Sequence, residues 1–504
     1  MHRAHDYLPP MTSQQTLILV RLASEVTIKS RRTRSAFIRQ LGRNMRDALR
    51  SAGIDGSVEP AWGRIYVRAS SPAALLPLGR VFGISSLSII ERAVPAQLDE
   101  IVRAGTELFT DRVAGKHYAV RANRAGMHDF SSKDVEVQLG AALRPNAAGV
   151  RLDDPEITVS IDVRDEQAYL FSDRVDGPGG LPLGVEGNAV ALLSGGYDSA
   201  VSSWLMLKRG VALDYVFCNL GGDAYERAVV QVAKLLSDEW SYGTQPRLHV
   251  IDFGDVVNDL RERTRPSYWQ LILKRLMYRA ASRVGADLNA QAIITGEAVG
   301  QVSSQTLTNL RALEPAADLP VFRPLIGFDK GEIIERARAI GTAALSEQVK
   351  EYCAIAPGKP VTAASVERVD AEDEKLDTSV LDRAIAARRI IEPRSISASD
   401  LVASYLFTEA IPENAVVIDC RPQSQYQTWH LRGAEQRDEW ELLRDFRRLD
   451  RDRTYVLYCA HGIQTAYLAG KMQRAGYDAY SFRGGLRGVM RYAEQQGMNT
   501  SLLR

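Results

Sequence analysis

An apolar stretch, Leu192-Leu193, runs straight into Ser194-Gly195-Gly196-Tyr197-Asp198-Ser199, and helical patterning resumes at once through Arg209. Few architectures accept that connection. A strand that turns through two glycines into a helix belongs to a parallel α/β layer. The flanking sequence agrees: strands are expected at Val190–Leu193, Tyr215–Asn219, Leu248–Asp252 and Ala292–Thr295, with helices such as Ser199–Arg209 and Arg227–Leu236 between them. Gly195 and Gly196 let backbone N–H groups close on an anion, and the helix start adds its positive end. Ser194 and Ser199 add hydroxyl donors. A Gly-rich turn with no ligand is the plain alternative, and it accounts less well for the whole motif. The lysine of GxxxxGK[ST] is missing, which makes γ-phosphoryl transfer the less natural chemistry.

A second strand–loop–helix connection lies near the other end, in Tyr458-Cys459-Ala460-His461-Gly462-Ile463-Gln464-Thr465, before a helix expected over Ala466–Ala475. A cysteine opening such a loop meets inward N–H groups and a helix N-terminus, which favour a thiolate and a nucleophilic sulfur. A buried, inert thiol is the alternative. Thr465 stands where a C-x5-R phosphatase needs arginine, which argues against phosphatase chemistry. Cys218 and Cys420 sit in apolar strands and read as packed core. Cys353, in Glu351-Tyr352-Cys353-Ala354-Ile355, lies outside any regular strand; on the residues alone, a structural loop cysteine and a functional one are equally well supported.

The remaining chain divides by composition and punctuation. Its 504 residues and 45% hydrophobic content suit several soluble, core-forming domains. We expect a tail at 1–15, α+β units at 16–78 and 79–172, and a Gly/Pro linker at 173–187. The alternating α/β domain follows at 188–362, then a charged connector at 363–398 and a last α/β unit at 399–504. Net charge is only +1, yet Arg21–Arg50 carries nine Lys/Arg against two Asp/Glu. Arg31, Arg32, Arg34, Arg39, Arg43 and Arg46 fall on an amphipathic helix there. They are either its solvated face or an RNA contact, and the local excess favours RNA. No apolar run approaches a membrane span, no secretory h-region is present, and no CxxC pair suggests a metal cluster, so a cytoplasmic protein is expected.

Other candidate residues lie on the carboxyl edge of the α/β domain, where open sheets bind ligands. They are Gly296 in Thr295-Gly296-Glu297-Ala298 and Gln305 in Gln301-Val302-Ser303-Ser304-Gln305. Lys274 falls on a helix, and spacing alone reads it as solvated. Asp329-Lys330-Gly331-Glu332 reads first as a helix cap, with a phosphate contact from Lys330 second.

Several motifs then carry a resemblance. SGGYDS is similar to the PP-loop of ATP pyrophosphatases, which adenylate an oxygen and release pyrophosphate. Asp419-Cys420-Arg421, His430-Leu431-Arg432-Gly433-Ala434, the Cys459 loop and Arg483-Gly484-Gly485 resemble a rhodanese domain, although Gln464 stands where many rhodaneses carry arginine. Val120-Arg121-Ala122-Asn123-Arg124-Ala125-Gly126-Met127-His128-Asp129-Phe130-Ser131-Ser132 resembles a THUMP RNA-binding domain. The order ferredoxin-like unit, THUMP, PP-loop, rhodanese is similar to the tRNA 4-thiouridine synthetases, as are Phe217–Gly222, Thr295–Leu310 and Glu351-Tyr352-Cys353. The resemblance implies a multidomain α+β and α/β fold. It would have N-terminal ferredoxin-like and THUMP units, a central doubly wound parallel-sheet PP-loop ATP pyrophosphatase domain and a C-terminal rhodanese-like α/β domain.

It also implies roles. Leu192, Leu193, Lys274, Gly296 and Gln305 would contact ATP, and Ser194, Gly195, Gly196 and Ser199 would cradle its phosphates, with Asp198 near magnesium. ATP would adenylate O4 of the uridine at tRNA position 8. Cys459 would carry a persulfide supplied by a pyridoxal-phosphate cysteine desulfurase, and Cys353 would resolve it through a disulfide with Cys459. That pairing would require the rhodanese unit to swing onto the ATP site, for which the connector's length leaves room. A thiamine sulfur carrier protein is a further expected partner and a homodimer a possible assembly. A sulfur donor for thiazole synthesis alone, or an RNA-binding protein with inactive catalytic units, are the competing readings.

Overall fold

The computed structural model describes residues 15–61, 64–347, 349, 359–397, 401, 406–460 and 462–498. They form two compact units that part between Gly179 and Gly180. Among the described residues no helix is long and apolar enough to cross a membrane.

The first unit holds two five-stranded sheets. One is antiparallel, in the order Val175–Asp176, Ile84–Ile90, Thr16–Leu22, Arg64–Ala69, Gly56–Ala61. The basic helix runs over Arg31–Ser51, started by Ser30, whose side chain accepts from the Thr33 N–H. It buries Phe37, Leu41, Met45, Ala48 and Leu49 and leaves Arg31, Arg32, Arg34, Arg39, Arg43 and Arg46 exposed. Strand Ile84–Ile90 pairs with Thr16–Leu22, so this sheet draws on residues beyond the expected 78/79 division. The other sheet runs Arg92–Pro95, Gln167–Phe171, Ile157–Arg164, His117–Ala125, Gly149–Val150, and packs helices Leu98–Val113 and Ser132–Leu143. Ser131 and Asp134 cap the latter helix reciprocally.

The Gly/Pro stretch between the units is pinned on both sides. Val175–Asp176 pairs with Ile84–Ile90, while the Leu181 N–H donates to Lys208 O. Gly180 has φ +73°, and a Cβ there would stand 2.1 Å from Lys208 O, so only glycine fits.

The second unit begins with a six-stranded sheet in the order Val321–Phe322, Ile293–Ile294, Asn188–Leu192, Ala212–Asn219, Leu248–Asp252, Arg389–Ile391. The first five strands are parallel and the last is antiparallel. Strand order reverses between Asn188–Leu192 and Ile293–Ile294, which opens a crevice at their carboxyl ends. The charged, helix-compatible connector expected over 363–398 packs on the domain it follows. Helices Val366–Asp373 and Thr378–Ala386 bury Val369, Leu381 and Ile385 in the core of this domain, and Arg389–Ile391 completes its sheet. Arg275, itself buried, holds Asp370 and Asp373 at 2.6 and 3.1 Å. Glu372 and Asp373 of this segment are buried against the domain it follows, while Glu367, Arg368 and Glu374 stay exposed.

The last domain is a parallel sheet in the order Phe407–Thr408, Asp478–Phe482, Thr454–Tyr458, Val416–Asp419, Glu435–Gln436, with helices Ile463–Arg474 and Gly485–Gln495 after two of the strands.

Candidate active site

Helix Tyr197–Lys208 follows strand Asn188–Leu192 with no side-chain cap. Its first N–H groups therefore face the crevice, with the positive end of the helix behind them. Gly195 takes φ +78°, and a Cβ there would press on Val229 and Val349 at 3.1 Å. The loop is tied internally: the Ser194 N–H donates to Ser199 Oγ at 3.2 Å, and Ser199 Oγ donates to Gly196 O at 3.2 Å. On the far side of the crevice Gly296 comes so close that a Cβ would sit 2.6 Å from Asp198 C. A glycine at 296 lets the two loops meet.

Between them lies a cavity of about 430 Å³ lined by Leu192, Ser194, Gly196, Asp198, Ser199, Lys274, Gly296, Gln305 and Lys330, with Tyr197, Tyr278, Glu297 and Gln301. Nine of the residues singled out from the sequence thus converge on one space. Leu193 and Gly195 are not on its wall; Leu193 is buried, with its N–H on Val216 O. Asp198 accepts from Lys330 Nζ at 2.8 Å and from Gln301 Nε2 at 2.9 Å. Lys330 opens a helix, Lys330–Ala339, that Asp329 and Glu332 cap reciprocally, as the helix-cap reading expects, and it also lines the cavity.

Sequence reasoning missed the centre of the wall. Glu297 is buried and accepts from Lys274 Nζ at 2.6 Å, Tyr278 OH at 2.5 Å, Arg323 Nε at 2.8 Å and Thr295 Oγ1 at 3.1 Å. Burial alone would raise its carboxyl, but Lys274 above all, with Tyr278 and Arg323, outweighs it and holds the group at about 2. Lys274 is therefore an oriented cation on the cavity wall rather than a solvated helix lysine. Its i,i+4 spacing from Tyr278 was the available signal. Gln305 Oε1 accepts from the Ala298 N–H at 3.2 Å and folds the intervening loop back on itself.

Asp198, a cavity-lining carboxylate beside the N-terminus of helix Tyr197–Lys208, suits a magnesium ion that keeps waters and takes its other ligands from phosphates.

The cysteine loop is built differently. Cys459 follows the central strand Thr454–Tyr458, and its Sγ accepts from the Gly462 N–H at 3.2 Å and lies 3.5 Å from Thr465 Oγ1. Gly462 takes φ +83° to start helix Ile463–Arg474. Thr465 Oγ1 lies 2.7 Å from Ser481 Oγ, which donates to Gly462 O, so the turn is locked from below. Cys459 is a free thiol, 3% exposed. Asp419 and Arg421 form a fully buried ion pair, Nε to Oδ1 at 2.9 Å, and Arg421 also donates to Trp429 O. That pair braces the neighbouring turn. Cys218 and Cys420 are buried, and burial pushes the Cys420 thiol well above its usual range. Cys353 and His461 lie outside the described residues.

Comparisons with known proteins agree over most of the chain. Residues 17–88 match the ThiI ferredoxin-like domain, 95–173 the THUMP domain, 184–378 the thiamine biosynthesis protein (ThiI), and 406–491 the rhodanese-like domain. A tRNA sulfurtransferase of Desulfurococcus amylolyticus is 38% identical over 93% of this chain and 97% of its own length. One from Pyrobaculum aerophilum is 36% identical over 93% and 96%. The crystal structure of a 4-thiouridine synthetase–RNA complex with bound ATP superposes with a TM-score of 0.65 at 29% identity, covering 75% of this chain and 99% of that one.

Proposed function

The chain belongs to the tRNA sulfurtransferases, and on that premise we propose that it converts the uridine at tRNA position 8 to 4-thiouridine in two ATP-dependent stages. Uridine O4 attacks the α-phosphorus of ATP, and pyrophosphate departs toward the N–H groups of helix Tyr197–Lys208. Ser194 and Ser199 shape that cradle, Leu192 and Leu193 lie at the strand end beneath the nucleotide, and Gly296 and Gln305 form its opposite wall. Lys274, aimed by Glu297, and Lys330, aimed by Asp198, oppose the charge that develops on the phosphates. Magnesium bound with ATP at Asp198 would supply further neutralisation.

In the second stage Cys459 carries a persulfide received from a pyridoxal-phosphate cysteine desulfurase. Its terminal sulfur attacks C4, and AMP leaves with O4. The Cys353 thiolate then attacks Cys459 Sγ, which releases the thiolated tRNA and leaves a Cys353–Cys459 disulfide for an external thiol to reduce. Arg31, Arg32, Arg34 and Arg39, all exposed on one helix, supply backbone contacts to the tRNA. The match of 184–378 to the thiamine biosynthesis model supports sulfur delivery to a thiamine sulfur carrier protein as a second outlet for the same persulfide.

One observation carries this reading: the phosphate loop, Asp198, Lys274 and Lys330 line a single cavity on the crevice where strand order reverses. Mass spectrometry of tRNA nucleosides from a strain lacking the protein tests it. We expect 4-thiouridine to vanish and to return on complementation; undiminished 4-thiouridine refutes it.

A further inference from the structure

The rhodanese-like domain touches the nucleotide-binding domain through its own active-site loop. Gln464, five residues past Cys459 and half-buried, turns its side chain away from the sulfur and donates from Nε2 to Gly341 O at 2.5 Å. That carbonyl is fixed in place. Gly341 takes φ +83° at the end of helix Lys330–Ala339, with the Gly341 N–H on Arg338 O and the Thr342 N–H on Ala337 O, the two bonds of a Schellman cap. Trp240 Nε1 holds the adjacent Ile340 O at 3.0 Å. At its other end the same helix carries Lys330 to Asp198. A ten-residue helix of about 15 Å thus runs between the phosphate loop and the cysteine loop, capped at both ends.

A second contact region lies alongside. Burial, then the neighbouring Asp438 and, across the contact, Glu347 of the nucleotide-binding domain, pushes the Glu439 carboxyl of the rhodanese-like domain up to about 8. Burial, then Glu347, pushes the Tyr197 hydroxyl of the phosphate loop up, and Tyr467, one turn beyond Gln464, adds a smaller push. The segment that leads into the last domain is also moored: Lys234 Nζ donates to Pro393 O, Arg394 to Ser237 O and Gln231 Nε2 to Leu401 O.

We propose that Gln464 is a positioning residue: its bond to Gly341 latches the Cys459 loop onto the helix that also carries Lys330, and keeps the sulfur donor about one helix length from the phosphate loop. The latch rests on the persulfide reading above. It accounts for how a thiol on one domain serves an electrophile made on another without a long excursion of the connector. Because the acceptor is a backbone carbonyl, the latch depends on the donor at 464 and on no particular side chain opposite.

The test uses the full-length protein. Gln464→Glu keeps the shape but sets a carboxylate against the carbonyl, Gln464→Met removes the donor without adding charge, and Gln464→Arg restores a donor. Each is loaded with desulfurase and cysteine, the persulfide is quantified by mass spectrometry, and single-turnover transfer to tRNA is followed with ATP. For Gln464→Glu and Gln464→Met we expect loading within about twofold of wild type, unchanged pyrophosphate release, and transfer slowed about 10- to 100-fold, the scale of a misplaced reactant. Gln464→Arg should recover transfer to within about threefold. Wild-type transfer rates in both donor-less variants overturn the latch, and so does a loss of loading as large as the loss of transfer. Hydrogen exchange around residues 338–346 reads the contact independently of sulfur chemistry. Faster exchange in the donor-less variants supports the latch and unchanged exchange overturns it. Wild-type protein that takes up persulfide yet never yields 4-thiouridine instead overturns the reading on which the latch rests.

Discussion

The phosphate loop after Leu192 and the cysteine loop after Tyr458 are the same local construction, a buried parallel strand turning through a glycine of positive φ into a helix without a side-chain cap. They differ in what surrounds the turn. The first opens onto a cavity of about 430 Å³ whose wall is a network of paired charges. The second closes on a sulfur that is 3% exposed and takes one backbone N–H. A helix N-terminus is a generic anion site. Whether it serves a polyanion from solution or a sulfur built into the chain is settled by the space left above it.

If that contrast is right, the two loops should fail separately. Cys459→Ser has the largest expected effect: persulfide on the protein and tRNA thiolation both fall to background, while tRNA-dependent pyrophosphate release persists. Thiolation retained with desulfurase and cysteine would break the comparison. Asp198→Ala should do the converse, cutting pyrophosphate release about 100-fold or more while persulfide loading stays intact.

Glu297→Gln sharpens the point on the cavity wall. Removing one partner of a buried ion pair costs about 3 kcal/mol, measurable by denaturant unfolding, because Lys274 and Arg323 are left short of a counter-charge. The sign with pH follows from the depressed carboxyl. The unfolded chain protonates Glu297 near its ordinary value of about 4.5, the folded one only near 2. Its stabilisation is therefore complete above about pH 4.5 and is lost as pH falls toward 2, and the Gln variant should lack that share of the slope. Thr465→Val has the smallest expected effect. Ser481 keeps its bond to Gly462 O, so persulfide formation should slow only about fivefold, on the scale of one lost hydrogen bond.

Both turns were legible in sequence because their chemistry is contiguous: six residues in one, seven in the other. The Glu297 network was not, because helix Trp269–Asp287, which carries Lys274 and Tyr278, and the segment that carries Arg323 meet Glu297 only in the fold. The packing of the charged connector was hidden for a related reason: Val369, Leu381 and Ile385 set its place, and Asp370 and Asp373 find Arg275 only once helix Trp269–Asp287 is packed. Lys330 fell between these cases: its helix cap was readable and its reach to Asp198 was not.

Local pattern, read alone, determined the strand–turn–helix units, the candidate phosphate and sulfur residues on them, and their order along the chain. It could do so because backbone geometry and glycine placement act over a few neighbours. Tertiary structure alone decided which charges face one another across the cavity, that residues 363–391 belong to the nucleotide-binding core, and that Gln464 spends its amide on Gly341. Those outcomes turn on distances between residues far apart in sequence, which only the packed chain sets.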